Sequence, residues 1–289
     1  MTTLPEALVC LAGRLRATGV PTPEVDAELL AAHVLGWSRS ALRLRRADLL
    51  SPDVEAGLEA AGERRAAREP LQLIVGSVGF RHLDLLVRPG VFIPRPETEV
   101  LAGEAIARVP PGGVVVEPCT GTGAVACAVA TEASPRLVVA TDVSPAAVAL
   151  ARQNAARAGA RAVRVLAGDL LEPVPAELRG AVDVLVANPP YLTPDQLVTA
   201  EPEVRDWDPP RALVSGPDGH EHAARLCAAA AQWLRPGGWL LLEVDPSRAQ
   251  ATAHLAETAS LHDVRILPDL LGRPRIVTGQ LSSACGGKL

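Results

Sequence analysis

From residue 114 to residue 243 the chain alternates short runs of valine, leucine and alanine with longer stretches of helical spacing, and no other feature limits its fold so strongly. Strands are expected at Val114 to Glu117, Leu137 to Thr141, Ala162 to Ala167, Val182 to Ala187 and Trp239 to Glu243. Helices are expected at Ala124 to Thr131, Pro145 to Ala158 and Glu221 to Trp233. Strands separated by such helices predict βαβ crossovers, and a series of them predicts an α/β fold with a parallel, doubly wound sheet. Sheets of this kind bind ligands beyond the carboxyl ends of their strands, so the turns that follow the strands are where chemistry is to be sought.

The region ahead of this alternation has a different texture. Residues 1–70 read as a small helical domain, with "LPEALVCLAGRLRATG" ending at Gly19, "TPEVDAELLAAHVLG" ending at Gly36, and a third helical pattern after Ser51. Residues 71–98 are rich in glycine, proline and β-favouring residues and read as a β-hairpin connector. The sheet domain is expected over 99–282, with a flexible tail at 283–289. Arg43, Arg45 and Arg46 form a basic cluster that suits either an RNA or acidic partner or a solvated helix face.

A chain of 289 residues with 48% apolar and 21% charged residues can bury a sizeable core and is not disordered as a whole. Its net charge of -5 argues against a protein that coats nucleic acid by neutralising phosphates, and no stable nucleic-acid binding is expected. The five cysteines are scattered without a CxxC pair, which points to reduced thiols and neither zinc nor a disulfide frame. No metal is indicated. The N-terminus lacks a basic region followed by a long apolar stretch, and no apolar segment is long enough to span a bilayer, so a cytoplasmic monomer is expected.

Three features place a nucleoside over the strand ends. The first strand runs into "EPCTGTGA", where Thr120, Gly121, Thr122 and Gly123 form a turn that lets backbone N–H groups approach a ligand at a helix N-terminus. A tight turn made for packing alone would look the same. Asp142 follows the second strand, 25 positions after Glu117, where a carboxylate can accept both ribose hydroxyls. Ser144 beside it also suits the cap of the next helix. Asp169 follows the third strand and suits an adenine amino group. NAD and S-adenosylmethionine (SAM) both satisfy these features.

The fourth strand ends in "NPPY", and this stretch decides between them. Asn188 supplies a side-chain carbonyl, while Pro189 keeps its backbone carbonyl and has no N–H. Two acceptors facing one point suit a planar –NH2 group, whose lone pair is then aimed at an electrophilic methyl. Tyr191, the single tyrosine, gives a flat wall against which such a group packs. The catalysis required is alignment and electrostatics.

With these residues the chain resembles the HemK-type protein N5-glutamine methyltransferases, which modify the glutamine of the GGQ motif in peptide-chain release factors. The likeness rests on "EPLQLIVG", "GVFIPRPETEVL", "TGTGA", "VANPPYL", "EPEVRDWDPPRAL", "LRPGGWLLLEV" and "DLLGRPRIVTG" and runs over nearly the whole chain. It implies a SAM-dependent methyltransferase with a Rossmann-like, mostly parallel seven-stranded sheet and a helical domain that helps to recognise the protein substrate. It implies a cofactor loop at Cys119 to Gly123, Asp142 on the ribose, Leu170 beside the adenine and Glu117 toward the methionine amino group. Asn188, Pro189, Pro190 and Tyr191 would bind the substrate glutamine, with Asn188 also next to the cofactor. Phe92, Pro94, Arg95, Pro96, Glu97 and Thr98 would line or brace the pocket, Arg95 and Glu97 either by contact or as a local ion pair.

The chain departs from the family at three places. Glu117 and Cys119 stand where the family has Asp and the first Gly, Val244 and Asp245 follow "LLLE" in place of a glycine, and His220 replaces an apolar residue. Two other readings therefore stand beside the release-factor enzyme: an amino-methyltransferase of a ribosomal-protein glutamine or a nucleic-acid base, and a non-catalytic SAM-binding adaptor.

Overall fold

The computed structural model describes residues 2–44 and 49–283. Arg45 and Arg46 of the basic cluster, and the tail from residue 284 onward, lie outside the described residues. The chain forms two compact units. One comprises the chain up to Ser77 together with Glu201–Trp207; the other comprises Val78–Ala200 and the chain from Asp208.

The first unit is helical: α1 (Leu4–Ala17), α2 (Pro23–Leu35), α3 (Arg39–Leu44), α4 (Pro52–Ala66), α5 (Leu71–Val75) and, far along the chain, α10 (Pro202–Arg205). Proline in the first turn of α1, α2 and α4 starts these helices where its missing N–H costs no bond, and Gly36 at φ +64° ends α2. Leu4, Leu15, Leu30 and Leu58 fill the core. A buried charge network joins the distant segment to this unit. Arg65, 5% exposed, donates to Asp26 Oδ2 at 2.7 Å and to Glu203 Oε1 at 2.9 Å, and Arg68 grips both Glu203 oxygens at 2.7 and 2.5 Å. An arginine buried this deeply needs its carboxylates, so Glu203 brings residues 201–207 into the helical unit.

The second unit opens within a hairpin, β1 (Ser77–Phe80, of which Val78 onward belongs to this unit) and β2 (Leu83–Leu86), followed by α6 (Pro96–Ile106). The sheet domain then runs β3 (Val114–Pro118), α7 (Ala124–Glu132), β4 (Leu137–Asp142), α8 (Pro145–Arg157), β5 (Val163–Ala167), β6 (Val182–Ala187), α9 (Pro194–Thr199), α11 (Glu221–Trp233), β7 (Leu234–Glu243), α12 (Ala249–Thr258), β8 (Leu261–Pro268) and β9 (Pro274–Leu281). The strand order is β5-β4-β3-β6-β7-β9-β8. Strands β3 to β7 are parallel, and β9 pairs antiparallel with both β7 and β8. The seven-stranded, mostly parallel, doubly wound sheet is thus present.

All five residues of β3 and all six of β6 are buried, which is what helices on both faces of a parallel sheet require. Val116, Leu185, Leu226 and Leu240 belong to one apolar layer, and Val115, Leu101, Val125 and Val184 to the other. The strands expected from the sequence sit within two residues of those observed, except that β7 begins at Leu234 and not Trp239. Strands β8 and β9 escape a reading based on apolar runs. The edge strand β8 carries exposed His262, Asp263 and Arg265, and β9 opens on a proline.

Asn154, fully buried on α8, ties the hairpin to the glycine-rich turn after β3. Its Oδ1 accepts from Leu86 N at 2.8 Å, and its Nδ2 donates to Leu86 O at 3.0 Å and Thr122 O at 2.9 Å. Asn154→Ala leaves three backbone groups without partners and should lower stability by about 2–4 kcal/mol. A fall in the urea midpoint at unchanged slope is the expected result, and an unaltered midpoint would refute this role for Asn154.

Candidate active site

The chain leaves β3 and β6 side by side at the point where strand order reverses, and a cleft opens there above the carboxyl ends of the strands. Its wall contains Glu117, Cys119, Thr120, Gly121, Thr122, Asp142, Asp169, Leu170, Asn188, Pro189, Pro190, Tyr191, Phe92, Pro94 and Thr98. Of the site residues expected from sequence, Gly123, Arg95, Pro96 and Glu97 are not on that wall. Gly123, at φ +79°, packs behind the loop, where a Cβ would meet Ala151 Cβ at 3.1 Å. Gly121, at φ +55°, faces the opposite condition, since a Cβ there would meet nothing within 4 Å. Its backbone therefore borders open space, as close approach of a ligand requires. Cys119 adopts φ +58°, a left-handed conformation that costs about 1–2 kcal/mol for a residue with a Cβ.

Three carboxylates surround this loop. Glu117, 3% exposed, accepts from Thr120 Oγ1 at 2.7 Å and from Ala126 N at 2.9 Å, both at Oε2. The longer arm of glutamate is thus accommodated by bonding the first turn of α7, and Oε1 accepts no hydrogen bond among the described residues. Burial is the main cause that pushes the Glu117 carboxyl up to about 8, and neighbouring Asp142 adds to it. Asp142 accepts from Gly121 N and Ser144 N at 2.9 Å each, so it orders the loop and the start of α8 together. Burial raises its pKa and those backbone donors lower it. Ser144 also caps α8 through Ala147 N, so the capping reading of "DVSP" is what the structure shows. Asp169 is paired with Arg225 at 2.6 Å while still bordering the cleft.

The "NPPY" turn is held by the segment after it. Tyr191 N and Leu192 N both donate to Leu213 O, at 3.1 and 2.8 Å, and Gly219 at φ +76° packs so closely that a Cβ would lie 2.5 Å from Tyr191 O. Asn188 Nδ2 donates to Thr98 Oγ1 at 3.1 Å, and Thr98 Oγ1 donates to Glu243 Oε2 at 2.8 Å. Asn188 Oδ1 and the Pro189 carbonyl accept no hydrogen bond among the described residues. Tyr191 is half-buried with the Arg275 guanidinium 5.8 Å from its ring centroid, and burial, then Glu243, raises its hydroxyl pKa.

Arg95 works from outside the wall. It forms an ion pair with buried Asp208 and lies over the Phe92 ring at 5.2 Å, and Asp208 also accepts from Ile93 N at 3.3 Å. The expected local ion pair is not formed: Arg95 pairs with Asp208, 113 residues along the chain, and Glu97 with Arg273 at 2.8 Å, 176 residues along. Sequence reasoning missed Arg211, Leu213 and His222 on the cleft wall. His222 N donates to Ser215 Oγ at 3.0 Å, and the same hydroxyl lies 2.7 Å from His222 Nδ1. Burial lowers the His222 pKa, which favours the neutral ring. Where Ser215 donates to Nδ1, Nε2 carries the ring hydrogen and is a donor. His220, the histidine that the sequence brought forward, does not line the cleft. Nothing in the pattern "GHEH" separates the two; only the tie to Ser215, seven residues upstream, does.

Residues 6–76 match the family model of the PrmC N-terminal domain, and residues 86–201 that of the Methyltransferase small domain. The release factor glutamine methyltransferase of Mycolicibacterium smegmatis is 45% identical over 281 residues, covering 96% of this chain and 98% of its own length. That of Deinococcus radiodurans is 44% identical over 277 residues, covering 95% and 97%. A solved methyltransferase from Pyrococcus furiosus has the same fold, with a TM-score of 0.53 at 20% identity over 70% of this chain and 90% of that one.

The Glu117 carboxyl makes ligand-free stability depend on pH. Its pKa rises from 4.5 to about 8 on folding, so between those values the folded chain binds more protons than the unfolded one. The contribution is present below the unfolded value and is lost as pH rises through the folded one. Glu117→Gln cannot ionise, so its Tm relative to wild type should climb from about pH 5 to about pH 8.5. A difference that stays constant across that range would contradict the buried, proton-binding state of Glu117.

Proposed function

Since the chain belongs to the release factor glutamine methyltransferase family, we propose that its cleft binds S-adenosylmethionine and that it methylates the N5 side-chain nitrogen of the GGQ glutamine in a peptide-chain release factor. The observation that carries the proposal is the unengaged pair of acceptors, Asn188 Oδ1 and the Pro189 carbonyl, in a cleft that also presents Glu117 and Asp142.

The residues present fit the cofactor. Gly121 borders open space, as a closely packed ligand needs, and Asp142 stands at the end of the second strand of the nucleotide half to hold ribose hydroxyls. Leu170, Asp169 and the Nε2–H of His222 suit an adenine, and Glu117 Oε1 suits a cationic amino group. An ammonium beside Glu117 would favour its ionised form and so offset the burial that raises its pKa. When bound, S-adenosylmethionine supplies an electrophilic methyl on positively charged sulfur.

The chain's own part is alignment. Asn188 Oδ1 and the Pro189 carbonyl accept the two hydrogens of the target –NH2 group, which fixes the nitrogen and directs its lone pair toward the methyl. Proline at 189 has no N–H of its own to offer there. Acceptors already in place need no rearrangement during transfer, which is where such sites gain rate. Tyr191 walls the substrate amide. Phe92 and Pro94 narrow the mouth, braced from behind by Arg95 and Asp208. The helical unit, of the PrmC N-terminal family, reads the protein that carries the glutamine.

Incubation with labelled S-adenosylmethionine and, separately, release factors, ribosomes and DNA tests the assignment. Label is expected on the GGQ glutamine, with Asn188→Ala reducing transfer by about a hundredfold while donor binding persists. Label only in nucleic acid or a ribosomal protein would replace the substrate; donor binding without transfer to any of them would leave an adaptor.

A further inference from the structure

The two ends of the Asn188 amide have nearly the same shape, yet only one of them is an acceptor. Something must decide which end faces the substrate, and the structure supplies it in Thr98. This residue, 4% exposed on α6, donates to Glu243 Oε2 at 2.8 Å and accepts from Asn188 Nδ2 at 3.1 Å. A hydroxyl carries one hydrogen. Once that hydrogen is committed to Glu243, Thr98 offers Asn188 only lone pairs and takes its N–H, which leaves Oδ1 for the cleft. Glu243 itself is 1% exposed at the end of β7, so water does not compete for the bond. An apolar side chain at this position would be buried without the cost of desolvating a carboxylate, so stability gives no account of Glu243. The amide does.

Building on the reading of Asn188 and Pro189 as paired acceptors, we propose that Thr98 and Glu243 are positioning residues that set the polarity of the Asn188 amide, and that a proton taken up by Glu243 reverses it. With Oε2 protonated, Glu243 donates to Thr98 Oγ1. The Thr98 hydrogen is released toward Asn188, and the amide turns to accept it. Nδ2 then faces the substrate –NH2 group, donor against donor. One proton is gained from solvent, and no covalent bond changes apart from that O–H.

The groups that face Glu243 are Thr98 and Glu97 from α6, Arg275 from β9 and Tyr191 from the turn after β6. Burial pushes the Glu243 carboxyl up, Thr98 and Arg275 hold it down, Glu97 raises it and Tyr191 lowers it, and the balance stands at about 7. Glu97 is paired with Arg273, which limits its influence. The ionised, productive polarity therefore prevails above neutral pH and fades below it.

The test is kcat for methyl transfer to the protein substrate from about pH 5.5 to about pH 9, at saturating methyl donor, with donor affinity measured separately by calorimetry. Saturation removes Glu117 and His222, which bear on donor binding, from the profile. Wild-type kcat should fall as pH drops through about 7. Glu243→Gln has no proton to gain, so its kcat should be level across this range, at a height set by which end of the new amide meets Thr98. Thr98→Val should lower kcat by about a hundredfold at unchanged donor affinity, and Thr98→Ser should restore it to within about threefold. Wild-type kcat in Thr98→Val, or a low-pH decline that survives in Glu243→Gln, overturns the proposal. Asn188→Ala separates the two levels: if it retains full kcat, the paired-acceptor reading itself fails, whereas its loss alongside an unaffected Thr98→Val removes only the positioning role.

Discussion

Parallel pairing of β3 with β4 on one side and β6 on the other is the constraint from which the site follows. Every residue of β3 and β6 is buried, so their backbone groups have to be paired within the sheet, and register is not free to slip. Asp183 on β6 strengthens the junction by accepting from Val114 N at 2.7 Å. Parallel strands deliver their carboxyl ends to one edge, and the crossovers from β3 and β6 then diverge. The cleft is the gap between them, and Glu117, Cys119 to Thr122 and Asn188 to Tyr191 face it because each stands at the end of one of these two strands or just after it.

Around that gap the protein buries carboxylates where an apolar filling would cost less. Glu117 bonds the first turn of α7, Asp142 joins the loop to α8, Asp208 anchors Arg95, and Glu243 receives Thr98. Each uses its hydrogen bonds to fix a piece of backbone or a side chain, and that rigidity is what a site based on alignment needs. The cost appears as raised pKa values at Glu117 and Glu243, both caused chiefly by burial. In the helical unit, Arg65 and Arg68 spend comparable interactions on Glu203, and a seven-residue segment from far along the chain folds there as a result.

Much of this was legible in advance. Valine-rich runs separated by helical spacing predict the parallel core because strands buried on both faces leave no other composition open to them. The "NPPY" and "TGTG" turns are short and local, so their backbone properties follow from residue type alone. The edge strand β8 and its neighbour β9 were not legible from apolar runs, since solvent and a proline break the pattern. Glu243 looked like the end of a strand and Thr98 like a pocket brace. They meet across 145 residues of chain, and no local signal reports that.

The amino-acid sequence by itself determined the doubly wound sheet, the glycine turn with its following acids, and the amide and proline at the end of the fourth strand. Those depend on periodicity and on what a single residue type can donate, accept or adopt. Tertiary structure alone decided that Arg95 pairs with Asp208, that His222 and not His220 reaches the cleft, and that the hydroxyl of Thr98 stands between Asn188 and Glu243. Such choices rest on distances between side chains far apart in the chain, and a hydrogen bond exists only once folding has closed that distance and removed the water that would replace it.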